Sequence, residues 1–110
     1  MVLSPQEHKL LDALIARLSG LGAVSRIIVF GSRARGRSGE DSDLDVLVLL
    51  SRRDPSLVRR IEVLKQEALP DIEDFFQVNL VPLVEEEYLK DRGLFRRNVD
   101  RDGVTVWKRA

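Results

Sequence analysis

The sequence predicts an α/β (α+β) fold, a small mixed β-sheet covered by helices. Three observations lead there. Amphipathic runs at helical spacing alternate with short β-branched runs along the chain. One of these runs is apolar at nearly every position, the pattern of a strand buried on both faces. The length of 110 residues suffices for one core and leaves little for a second, so residues 1–110 read as one domain.

Each element has its own signature. Ser4-Pro5-Gln6-Glu7 reads as a helix start: serine caps, proline suits the first helical position, and Glu7 stands three residues after Ser4 as a capping box requires. Leu10, Leu11, Leu14, Ile15 and Leu18 continue at helical spacing until Gly20 and Gly22. Residues 26–30 (RIIVF) form a first strand that stops at Gly31. Residues 31–43 contain three glycines and almost no apolar side chain, so they form a loop. Residues 44–50 are a second strand, central in its sheet. Asp54-Pro55 opens a helix whose apolar side is Leu57, Val58, Ile61, Leu64 and Ala68, and Pro70 closes it. Residues 75–81 are a third strand. Residues 84–92 read as a helix with Gly93 at its C-terminal stop position, and residues 94–100 as a further short helix. Asp102-Gly103 turns the chain into a last strand at residues 104–107.

Composition excludes several classes of function. Lys+Arg and Asp+Glu each total 18, so the formal charge is zero and the domain lacks the cation excess that drives strong non-specific binding to nucleic acid. Local arginine clusters remain, at residues 33–37 and 92–101. No apolar run approaches the ~20 residues of a membrane span. The N-terminus lacks the layout of a secretory signal. Without cysteine there is no disulfide, thiolate metal site or thiol nucleophile. A cytoplasmic location is the default expectation, and a homo-oligomer is left open. His8 is the only histidine, which rules out a histidine-based metal centre or triad. Tyr88 and Trp107 read as core or interface residues, because two isolated aromatics make a poor nucleic-acid platform.

The chemistry concentrates between residues 31 and 45. Asp43 and Asp45 stand at i and i+2 where the second strand begins, so their carboxylates share a face about 6–7 Å apart at Cα. Two anions held that close call for a cation between them, and hard oxygen ligands favour Mg²⁺. Gly31 directly follows a buried strand, where a backbone N–H approaches a phosphate without a β-carbon in the way. Ser32 adds a hydroxyl donor, Arg33 and Arg35 reach toward phosphate oxygens, and Gly36 permits a second bend. The turn and the D-x-D strand face each other across one hairpin and together suit a metal-bound triphosphate. A P-loop is the rival, since Gly31-x4-Gly36-Arg37-Ser38 approximates its spacing. That loop runs straight into a helix and carries a lysine; here the lysine is absent and no helical period follows Ser38.

Gly31, Ser32, Ala34, Gly36, Ser42, Asp43 and Asp45, in the pattern G-S-x-A-x-G-x5-S-D-x-D, resemble the signature of the DNA polymerase beta-type nucleotidyltransferase superfamily. Length and element order resemble its smallest branch, the minimal nucleotidyltransferases (MNT). The resemblance implies a polymerase beta-like fold and a transferase that moves a nucleotidyl group, AMP from ATP by default, to an acceptor. It implies two Mg²⁺ ions on Asp43 and Asp45, and nucleotide phosphates held by Gly31 and Ser32 with Arg33, Gly36 and Ser42 alongside. It also implies a third carboxylate on a later strand that helps activate the attacking hydroxyl. Members of the minimal branch often pair, as antitoxins, with a small helical RNase toxin of the HEPN type, in some cases modifying it by AMP transfer.

The sequence departs from that pattern at the third carboxylate. In the strand FFQVNLVPL, Asn79 stands where an aspartate is expected. Asparagine offers a carbonyl oxygen but neither charge nor a proton-accepting group at neutral pH. Asp71, Glu73 and Asp74 precede the strand. Glu73 shares the parity of Asn79 but lies roughly 20 Å away along an extended chain, and all three read as a solvated turn. Two expectations therefore stand side by side: an Mg-dependent nucleotidyltransferase using Asp43, Asp45 and Asn79, or a catalytically weak nucleotide-binding antitoxin module that acts by binding a HEPN-type partner.

Overall fold

The computed structural model describes residues 1, 3–31, 34, 44–68 and 78–110. Its elements are α1 (Pro5–Leu18), β1 (Val24–Phe30), β2 (Leu44–Leu50), α2 (Pro55–Ala68), β3 (Val78–Val84), α3 (Glu85–Lys90), α4 (Leu94–Asp102) and β4 (Val104–Lys108). The capping box forms as the sequence predicts. Glu7 N–H donates to Ser4 Oγ at 3.1 Å, and Ser4 N–H donates to Glu7 Oε1 at 3.0 Å. At the start of α2, Asp54 Oδ1 accepts from the backbone and hydroxyl of Ser56 at 3.0 and 2.7 Å. That hydroxyl bond, outweighing burial and aided by the backbone bonds and Arg52, holds the Asp54 carboxyl below its usual range. Among the described residues no helix is long and apolar enough to cross a membrane.

The four strands form one mixed sheet in the order β3-β2-β1-β4. β1 pairs antiparallel with β2 and with β4, while β2 pairs parallel with β3 across the α2 crossover. Strand alternation then divides the core in two. Ile27, Val29, Leu44, Val46, Val48, Leu50 and Val78 pack with the buried stripes of α1 and α2. Ile28, Leu47 and Leu49 pack on the other face with Tyr88 of α3 and Val99 of α4, joined by Phe30, Val81, Leu83 and Phe95. β2 is buried on both faces, as its apolar run requires, and only Asp45 at its start is half-exposed. The α3/α4 layer is tied together by polar contacts. Tyr88 Oη donates to Asp100 Oδ1 at 3.2 Å, and Arg96 Nε donates to Asp100 Oδ2 at 2.8 Å. Burial first, and then the Asp100 charge, push the Tyr88 phenol up, so it keeps its proton.

Several element boundaries differ from the sequence expectation. β1 begins two residues earlier. β3 runs to Val84 and includes Pro82, tolerated because β3 is an edge strand of the sheet among the described residues; residues 75–77 of the predicted strand lie outside the described residues. Val58 does not join the core stripe of α2, which is Leu57, Ile61, Leu64 and Ala68. It is 42% exposed and lines a concavity of about 340 Å³ with Leu50, Pro55, Pro82, Leu83 and Val84. Gly93 does not stop a helix. Helix α3 already ends at Lys90, and Gly93, at φ −78°, is the N-cap of α4. Asp91 turns the chain there instead, its Oδ1 accepting from Gly93 N–H at 2.8 Å. α4 and β4 each extend one or two residues further than predicted.

Arg109 fastens β4 to the end of α1. Its Nε donates to Val24 O and its Nη2 to Ser19 O and Leu21 O, all at 2.9 Å. The guanidinium also lies over the Trp107 ring at 4.9 Å from the centroid. Three carbonyls on one charged fork make this a stronger tie than a surface ion pair. Arg109→Ala is expected to lower stability by about 2 kcal/mol, read as a lower urea midpoint at unchanged slope. Arg109→Lys should recover only part of it, since one ammonium cannot reach all three oxygens at once.

Candidate functional site

The sheet register builds the site. Phe30, the last residue of β1, lies opposite Asp45, and Asp45 lies beside Asn79 in the parallel pair. Phe30, Asp45 and Asn79 therefore form a row across three strands at one end of the sheet. All three belong to the α3/α4 face, since Asp45 shares parity with Leu47 and Leu49, and Asn79 with Val81 and Leu83. Asp45 is half-buried and Asn79 exposed.

Asn79 and the Gly31 turn stand beside the two oxygens of Asp45. Asn79 Nδ2 donates to Oδ1 at 3.3 Å. On the other side the chain leaves β1 through Gly31 at φ +79°, a conformation that L side chains rarely adopt. A β-carbon on Gly31 would lie 2.5 Å from Asp45 Oδ2, inside van der Waals contact. Glycine is thus required there twice, for its dihedral and for the space the carboxylate occupies. Ala34 is buried in the α1/α2 core.

Of the residues singled out by sequence, the structure brings together Gly31, Asp45 and Asn79. Ser32, Arg33, Gly36, Ser42 and Asp43 lie outside the described residues, as do Asp71, Glu73 and Asp74. His8 is exposed on α1, Tyr88 is buried, and Trp107 is half-buried against the larger core. One neighbour of the row was not evident in the sequence. Phe95 of α4 meets Phe30 edge to face, with centroids 5.4 Å apart and planes at 88°, and so backs the strand residue that faces Asp45. Its only sequence signal is the i, i+4 spacing to Val99, which says "core" without saying which part.

The donor set suits a hard cation. Asp45 offers carboxylate oxygens, and half a turn of the Asn79 amide would present its carbonyl oxygen in place of the NH₂ group. No nitrogen or sulfur ligand stands among them. Among the described residues, no three of His, Cys, Asp and Glu cluster to hold a metal.

Comparison with known proteins gives the following. Residues 8–104 match the family described as nucleotidyltransferase domain. None of the curated proteins compared with the chain matches its sequence. Among solved structures, a candidate nucleotidyltransferase from Sulfolobus solfataricus aligns over 99% of this chain and 93% of its own, at 22% identity and TM-score 0.51. A toxin–antitoxin structure with AMP-PNP aligns over 96% of this chain and 75% of its own, at 20% identity and TM-score 0.60. A complex of tri-AMPylated Shewanella oneidensis HEPN toxin with MNT antitoxin aligns over 94% of this chain and 73% of its own, at 20% identity and TM-score 0.55. At these identities the likeness is one of fold, and it agrees with the mixed sheet and flanking helices described above.

Proposed function

Because this chain belongs to the nucleotidyltransferase domain family, we propose that it binds ATP with Mg²⁺ and transfers AMP to a hydroxyl group of a partner protein, releasing pyrophosphate, as the antitoxin of a HEPN-type toxin. The observation that carries the reading is the convergence on Asp45: a positive-φ glycine leaves room for one carboxylate oxygen and a β3 side chain reaches the other. A glycine turn at a strand end offers backbone N–H groups to phosphates, and a carboxylate beside it offers a ligand for the metal that accompanies them. In this reading Gly31 and Ser32 hold the phosphates, Arg33, Gly36 and Ser42 flank them, and Asp43 and Asp45 hold the cation. When bound, Mg²⁺ neutralises phosphate charge and polarises the phosphorus under attack. The protein's own part is positioning, on which nucleotidyl transfer chiefly depends. The structures with AMP-PNP and with an AMPylated toxin support the choice of nucleotide and of a protein acceptor. An ATP-consuming antitoxin would act in the cytoplasm.

The test is transfer of label from α-labelled ATP, in Mg²⁺, to a protein that co-purifies with this chain. Label should appear on the partner, and Asp45→Asn or Asp43→Ala should reduce it by at least roughly a hundredfold while leaving the fold intact. Labelling that persists in both variants would remove these aspartates from the reaction.

One observation favours a second reading. Asn79 occupies the β3 position in register with Asp45 and brings no proton-accepting group. The chain would then hold nucleotide and partner without turnover. In that case wild-type protein binds ATP and the partner but labels nothing.

A further inference from the structure

We infer that this site takes one divalent cation per chain, not the two that the family resemblance implies, and that Asn79 sets that number. The inference rests on the reading above that Asp45 is a metal ligand. Two cations that take one oxygen each from a shared carboxylate need both oxygens open to a metal. In this structure Oδ1 of Asp45 accepts from the Asn79 amide at 3.3 Å. Oδ2 faces the Gly31 turn, close enough that a β-carbon there would lie at 2.5 Å. The β3 side of Asp45, where a carboxylate would extend the ligand set with a negative charge, instead carries a neutral amide, whose NH₂ group faces Oδ1. Because the two residues are register partners on adjacent parallel strands, Asn79 stays beside Asp45 as long as the β2–β3 pairing holds.

Charge counting leads to the same number. Two divalent cations bring four positive charges, against three negative charges from three carboxylates and two from the D-x-D pair alone. With asparagine at 79, the β3 contribution falls to a neutral dipole. The D-x-D pair then matches one cation, within the one or two carboxylates that Mg²⁺ ordinarily takes from protein. A second cation beside it would meet Coulomb repulsion with nothing on β3 to offset it.

The experiment counts Mn²⁺, as the metal alone and again with saturating AMP-PNP, from the loss of the free-ion EPR signal and by calorimetry. With nucleotide, the count is corrected for Mn²⁺ bound to AMP-PNP free in solution. Wild-type protein should take up one Mn²⁺ per chain and Asn79→Asp two. Asn79→Ala should stay at one, which separates charge from the loss of the hydrogen bond. Asp45→Asn should weaken uptake at least tenfold. Asn79 is exposed, and equal melting temperatures across the series would show that the counts report the site and not the fold. Two equivalents of similar affinity in the wild type, or one in Asn79→Asp, would overturn the inference while leaving the metal–nucleotide reading in place. No uptake by wild type under either condition would overturn both.

Discussion

Gly31→Ala is expected to abolish nucleotide-dependent activity while costing the fold comparatively little. The substitution meets two obstacles at one atom. A non-glycine residue at φ +79° carries a backbone penalty of about 1–2 kcal/mol. Its β-carbon would also stand 2.5 Å from Asp45 Oδ2, so either the carboxylate turns away or the turn opens. Either response moves a proposed metal ligand relative to the phosphate-binding turn, and a displacement of about 1 Å at a reacting centre can cost roughly a hundredfold in rate. The strain falls at the end of β1, where the chain is leaving the sheet, so most core packing survives. Circular dichroism should be unchanged and the urea midpoint modestly lower, while label transfer and AMP-PNP binding are lost. AMP-PNP affinity equal to wild type would show that this turn does not hold phosphate.

Gly103→Ala should do the reverse, destabilising the fold with no direct contact to the row at Asp45. Gly103 joins α4 to β4, with an ordinary φ of −69°, so alanine is permitted by dihedral and excluded by space. Its N–H donates to Val99 O at 2.6 Å, closing the helix. An added β-carbon would lie 2.4 Å from that oxygen and 3.0 Å from Ile28 Cγ2. The carbonyl belongs to a helix end and Ile28 to a buried strand, so neither yields without moving backbone. A loss of about 3 kcal/mol is expected, the upper part of the overpacking range, with the melting temperature falling on the order of 10 °C. A loss below about 0.5 kcal/mol would mean that α4 shifts freely on the sheet. That in turn would weaken the case for Phe95 as a fixed backing to Phe30.

These two glycines also show what was and was not legible in the sequence. Gly31 announced itself, because a glycine ending a β-branched run and starting a polar loop has few other reasons to be there. Gly103 was read as part of a turn, but its need for space depends on how α4 crosses β1, which no local pattern encodes. The same holds for the side chains. Periodicity identified Leu57, Ile61, Leu64 and Ala68 of α2 correctly, yet also enlisted Val58, because hydrophobicity at the margin of a stripe does not say where the neighbouring layer ends. Strand parity put Asp45 on a face. That Asn79 shares the face and the row needed the β2–β3 register, set by a crossover whose geometry local sequence leaves free. Resemblance supplied that alignment in advance; spacing alone did not. The Gly93 misreading has a simpler origin. Glycine at a helix boundary fits a C-terminal stop and an N-cap equally well, and the short Asp91 turn decided between them.

The alternation along β2 makes the strand intolerant of any change in length. Its even-numbered residues, Leu44, Val46, Val48 and Leu50, serve the core beneath α1 and α2, while Asp45, Leu47 and Leu49 serve the opposite layer. Substitutions on one set leave the other in place, so the larger core can drift in composition while the carboxylate keeps its position. A single inserted or deleted residue has no such freedom. It would exchange the two sets, sending Asp45 to the opposite face and Leu44 or Val46 to the place between Gly31 and Asn79. Descendants of this sequence are therefore free to vary the letters of β2 but not their number, and length variation should be confined to the loops at its two ends.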